Sequence, residues 1–154
     1  MNKPGLRSRG YRRCKQGYYV CKHPEKYIGN SDDIIYRSGI ELSYFRYLDE
    51  NKNVKKWGSE IVKIPYFDES TNKSRNYIVD VYFEYISKLG VYEKAIVEIK
   101  NYKQTLPPEP SKRSYYTNRA MLEYKKNLSK WKYAKQYADK NNLKFFILTE
   151  KDIT

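Results

Sequence analysis

Cysteine is almost missing from this chain, with two residues, Cys14 and Cys21, in 154. Two thiols build no disulfide framework, so the stapled secreted classes are set aside and a reducing, cytoplasmic setting fits. Together with the single histidine, His23, they also fail as a zinc site, because paired short ligand spacings and a fourth ligand are lacking. Long apolar runs are lacking too. No stretch of about 18 apolar residues is available to span a bilayer, no apolar signal region lies near Met1, and no amphipathic lipid anchor stands out. Acid is the other shortage: 18 Asp and Glu face 31 Lys and Arg, for a formal net charge of +13. Such an imbalance calls for a polyanionic partner, nucleic acid first and an anionic membrane surface second, and with no membrane element in sight nucleic acid is the better fit.

The basic residues are unevenly placed. Lys3, Arg7, Arg9, Arg12, Arg13, Lys15, Lys22 and Lys26 meet one acid, Glu25, before Asp32. Residues 1–33 therefore read as a basic N-terminal arm, with Arg12 and Arg13 among its phosphate contacts. A solvated tail fits the same composition. Residues 34–154 read as one domain with a single modest core. The 18 tyrosines suit base-stacking surfaces and an aromatic core equally.

Two runs rich in Val, Ile, Tyr and Phe, 76–86 and 95–100, read as strands joined by a short polar turn around Gly90. Strand alternation puts Tyr77, Val79, Val81 and Phe83 on one face and Asp80 on the other. It also turns Glu98 and Lys100 together, away from Ala95, Val97 and Ile99. An acid between two valines, and an acid and a lysine ending an apolar run, are costly to bury unless paired or holding a metal. Two acids on neighbouring strands offer a hard divalent cation its oxygens, with the lysine left to act on a water or a phosphate. The ordinary meaning of Glu-x-Lys on a strand is a cross-strand ion pair on a solvated face. Asp80 followed by Glu98-Ile99-Lys100 resembles the PD-(D/E)xK nuclease superfamily, with Val79 where that signature names a proline. The resemblance implies that Asp80 and Glu98 hold magnesium or manganese and that Lys100 helps activate the attacking water.

Around this centre, residues 36–50 carry a helical stripe of Ile40, Tyr44, Phe45, Tyr47 and Leu48. Ser38 and Glu41 fit a capping box; a second reading turns Glu41 toward the sheet acids and the metal, as a first-helix Glu does in the superfamily. Glu60 is a further acid near the cluster, with a solvated ion pair as its simpler role. Residues 61–64 read as a strand stopped by Pro65 and opening a three-strand meander. After Lys100, Lys103 and Gln104 lie close enough to reach phosphate, although plain loop polarity explains them as well. Pro107, Pro108 and Pro110 then stiffen the loop. A long helix over 115–141 repeats Met121, Tyr124, Leu128, Trp131, Ala134 and Ala138. Its other surface is basic, with Arg119, Lys125, Lys126, Lys130, Lys132, Lys135 and Lys140 suited to phosphate contacts. Residues 143–149 read as a final, mostly buried strand.

The order predicts an α/β fold in which a central mixed β-sheet is flanked by helices. Tyr36-Arg37-Ser38 with Glu41, Trp57-Gly58-Ser59-Glu60, Ile64-Pro65-Tyr66-Phe67, Asp80, Glu98-Ile99-Lys100, Pro107-Pro108, Trp131 with Ala134, and Phe146-Ile147-Leu148-Thr149-Glu150 are similar to the head-completion nuclease family of T-even-like tailed phages. That resemblance covers about residues 36–150. It implies a restriction-endonuclease-like core like that of the TnsA endonuclease, and a metal-dependent DNA nuclease acting after packaging. Catalysis would fall to Glu41, Asp80, Glu98 and Lys100, with Arg37 beside the basic residues of the DNA surface. It also implies portal or neck proteins as partners, several copies per virion, and a place in the host cytoplasm or at the portal vertex of the head. The opposing reading is a non-catalytic assembly protein that binds DNA or a portal-vertex partner through its charge.

Overall fold

The computed structural model describes residues 16–109 and 114–153, so Arg12, Arg13 and Cys14 lie outside the described residues. In chain order the elements are β1 (Gly17–Tyr18), β2 (Ile35–Tyr36), α1 (Gly39–Glu50), β3 (Val54–Ser59), β4 (Lys63–Asp68), β5 (Lys73–Ile78), β6 (Val81–Ile86), β7 (Tyr92–Ile99), α2 (Ser114–Lys140) and β8 (Lys144–Leu148). Short 3-10 turns occupy Pro24–Lys26 and Tyr102–Thr105. The main sheet runs β3-β6-β7-β8. Its first three strands are antiparallel, while β8 joins β7 in parallel after the crossover through α2. The fold is thus the α/β arrangement with a central mixed sheet that the sequence implies. Among the described residues no helix is long and apolar enough to cross a membrane.

One long hairpin positions the site. β3 pairs with β6 as far as Ser59 opposite Val81, and β4 pairs with β5 from Lys63 opposite Ile78. Between these pairs Glu60, Ile61 and Val62 lie opposite only Val79 and Asp80, so one arm carries an extra residue. Glu60 takes the left-handed region, φ 58°. Its amide donates to Asp80 O at 3.1 Å, and the Val79 amide donates to Val62 O at 2.9 Å. This is a bulge, and it lets both arms leave the main sheet for a separate two-stranded ribbon, β4–β5.

Two expectations are corrected by that corner. Residues 76–86 are not one strand: Tyr77 and Val79 pack with Ile64, Tyr66, Ile96, Ala134 and Ala138 against α2, whereas Val81 and Phe83 enter the α1-side core with Phe45, Leu48, Trp57 and Val97. The meander strand beside β6 is 54–59 rather than 61–64. β4 runs on through Pro65, which is accommodated because β4 has a neighbour on one side only.

Other corrections concern edges. Of the segment read as an arm, residues 16–33 are folded against α1. Tyr19 and Ile34 are buried in the α1-side core, and Asp49 accepts from Tyr19 Oη, Lys22 N and His23 N at 2.7, 2.7 and 3.0 Å. The Lys26 ammonium donates to the Leu48, Asp49 and Asn51 carbonyls at 2.8, 2.8 and 2.9 Å. It thereby caps the negative end of α1. β8 is an edge strand with Phe146 and Ile147 exposed, not a mostly buried one. On α2 the buried stripe passes through Asn127, Trp131, Ala134 and Ala138, and Leu128 is 44% exposed.

Candidate active site

Asp80 stands at the corner, one residue before β6, in line with Glu98 on β7, since Val81 pairs with Val97. Opposed residues on antiparallel strands share a face, so the two carboxyls meet on the α2 side of the sheet. Ile99 N donates to Asp80 Oδ2 at 2.7 Å. Burial first, then the Glu98 charge, push the Asp80 carboxyl well above the ordinary carboxylate range, and a side-chain hydrogen bond links the two acids. Glu98 is 3% exposed. Its Oε1 lies 3.3 Å from Lys100 Nζ, and its Oε2 accepts from the Tyr77 hydroxyl. Lys100 N donates to Leu148 O at 2.9 Å, which ties the end of β7 to β8.

Glu41 sits in the first turn of α1. Its amide donates to Ser38 Oγ at 3.1 Å, and its Oε2 accepts from Arg37 N at 2.7 Å, one residue beyond the cap. Its carboxyl is raised by burial, with Glu60 and Glu98 adding to the effect. Glu41 is therefore a capping residue that also feels the acids of the sheet. The Arg37 guanidinium pairs with Glu60 at 2.5 Å, so Arg37 holds two acids at the edge of the cluster.

The remaining candidates are spread out. Lys103 is exposed in the 3-10 turn after β7. Gln104 Oε1 accepts from Asn101 N at 3.3 Å, so that side chain is engaged in capping its own turn. Arg119, Lys132 and Lys135 are exposed on α2. Two residues near the acids were not anticipated there. Tyr77 read as plain core, and Lys130 as one basic residue of many, yet Lys130 Nζ stands 5.4 Å from the Tyr77 ring centroid. The available signal for Lys130 was its spacing, four residues before Ala134 and eight before Ala138 on the buried stripe. A groove of about 760 Å³ against Tyr44, Phe83, Tyr85 and Phe146 lies on the α1 side of the sheet, away from these acids.

The donor set fits a hard divalent cation. A half-buried Asp80 whose carboxyl is raised by burial and by the charge of the buried Glu98 beside it is the environment such an ion relieves. Among the described residues no group of three His, Cys, Asp or Glu side chains is close enough to hold one ion. Asp80 and Glu98 are the pair that would hold it, and Glu41 lies farther out.

A mixed sheet with paired acids and a lysine at the end of its central strands defines a restriction-endonuclease-like domain. The chain belongs to the TnsA-like endonuclease N-terminal family, whose profile matches residues 51–150. It is 36% identical over 141 residues to the Head completion nuclease of Enterobacteria phage T4, spanning 87% of this chain and 90% of that protein.

Proposed function

We propose that this chain is a divalent-metal-dependent DNA nuclease of phage head completion, acting in the host cytoplasm during assembly and at the portal end of a filled head. The observation that carries the reading is the pairing of half-buried Asp80 with buried Glu98, with Lys100 on Glu98, in a chain whose relative from phage T4 is named a head completion nuclease. Asp80 and Glu98 hold the ion, which when bound supplies positive charge to the scissile phosphate. Lys100 orients the attacking water and offsets charge developing on the phosphate oxygens. Glu41 reaches the cluster through a water. Arg37, Lys103, Gln104, Arg119, Lys132 and Lys135, with Arg12 and Arg13 before the described residues, contact the sugar-phosphate backbone and not base edges. Sequence preference is accordingly weak and salt dependence strong. Portal or neck proteins are the assembly partners.

The test is cleavage of linear and supercoiled DNA with magnesium or manganese, beside Asp80→Ala and Lys100→Ala proteins of verified fold. Loss of cleavage by about a hundredfold or more in both variants, and in chelator, is the expected result. Equal DNA binding by all three proteins with cutting by none overturns catalysis and leaves the chain as an assembly component.

A further inference from the structure

Lys130 is a cation near the acids whose placement the mechanism above leaves unused. It projects from α2 on the side held by Trp131, Ala134 and Ala138, all buried. The small side chains at 134 and 138 let the helix approach Ile96 and Tyr77 closely. Lys130 is half-buried, and its ammonium lies over the face of Tyr77, whose hydroxyl serves Glu98. Both Glu98 oxygens already have partners, Lys100 on Oε1 and Tyr77 on Oε2. Among the described residues no carboxylate lies within ion-pairing distance of Lys130. Burial draws its ammonium below the ordinary lysine range, while the Glu98 charge works to keep it protonated. An ammonium held half out of water, stacked on a ring and without a carboxylate, is poised for an anion from outside.

We infer that Lys130 is a substrate-binding residue: its ammonium takes a non-bridging oxygen of a DNA backbone phosphate adjacent to the one under attack. The inference rests on the nuclease reading of the Asp80–Glu98 pair. The acids repel the polyanion at the place where it must come closest. Lys100 is engaged with Glu98, so a second, uncommitted cation is needed to hold the strand there. Lys130 reaches that place from the helix, and its fixed base on the Tyr77 ring limits the entropy lost on contact.

The experiment compares the full chain with Lys130→Met, Lys130→Arg and the remote control Lys55→Met, whose lysine is exposed and donates to the Lys52 carbonyl. KM and kcat for linear duplex are followed across a salt series, with thermal stability recorded for each protein. Lys130→Met should raise KM by about tenfold and flatten the slope of log KM against log salt by about 0.9, with kcat within about twofold. Lys130→Arg should restore most of the slope, because a guanidinium also pairs with phosphate; Lys55→Met should match the unmodified protein. If Lys130→Met does not fold, Lys130→Gln takes its place. A lowered melting temperature with unchanged KM and slope makes Lys130 a packing residue and overturns the inference. A fall in kcat with KM unchanged overturns it as well. Cutting by the unmodified protein with no effect at Lys130 removes this inference alone, whereas absence of both cutting and binding removes the nuclease reading with it.

Discussion

Asp49 is fully buried and Asp80 half-buried, and the two acids are solvated in opposite ways. Asp49 has one hydroxyl and two backbone amides directed at its two oxygens. Asp68 at the ribbon tip is similar: Ser70 N and Oγ, Thr71 Oγ1 and Arg75 Nε all donate to it. Led by the Ser70 hydroxyl, those donors hold its carboxyl down at about 2. Asp80 has one amide, from Ile99, and faces a second carboxylate. Burial alone therefore does not mark a functional acid; the marker is burial with fewer donors than charge requires. Where donors suffice the acid is structural, and where they fall short the site suits a positive charge from outside the chain.

The sharpest break of this contrast is Asp49→Ala. Three donors lose their acceptor, so a loss of about 3 kcal/mol and a melting temperature lower by about 10 °C are expected, with cleavage per folded molecule unchanged below the transition. Reduced cleavage at full fold would move Asp49 from the structural class to the functional one. Next in size is the response to a divalent ion. At about a hundred times its dissociation constant, magnesium should stabilise the protein by about 2.7 kcal/mol over chelator. Asp80→Asn should lose that gain and Asp49→Ala should keep it. A thermal shift equal in Asp80→Asn and the unmodified protein would place the ion elsewhere.

The smallest expected effect concerns pH. The Asp80 carboxyl is raised in the folded state, so the folded protein keeps that proton more firmly than the unfolded chain does. Its contribution is favourable below the ordinary carboxylate range and declines as pH rises through the raised value. Without metal, Asp80→Asn should be neutral near pH 4 and stabilising by about 1–2 kcal/mol near pH 8. Denaturant midpoints at the two pH values decide it, and a destabilised variant at pH 8 would mean that Asp80 has more donors than the structure gives it.

The two regions also differed in how well the sequence revealed them. Alternation in residues 95–100 separates Glu98 from Ala95, Val97 and Ile99, and the structure buries those three in the α1-side core. Ser38 and Glu41 marked the start of α1, which begins one residue after that serine. The Asp49 cluster was hidden, because its partners lie 26 to 30 residues away and the segment supplying them has little apolar periodicity. Period-based reading finds faces, not pairings at such range. The corner was hidden for a different reason. Left-handed positions are normally advertised by Gly, Asn or Asp, and here the residue is Glu60. With no turn signal, 76–86 reads as one strand although Tyr77 and Phe83 serve different cores. Lys130 was visible only as one basic residue among several, since charge composition does not say which ammonium lies over a ring.

The extra residue at Glu60–Val62 also governs where this chain can change length. Pairing restarts at Lys63 opposite Ile78, so residues 69–72 at the ribbon tip close the turn and serve Asp68, and an insertion there leaves the pairing of β3 with β6 intact. Deleting one residue from 60–62 cancels the bulge. The straightened hairpin then carries Asp80 off its corner without altering one atom of the acids themselves.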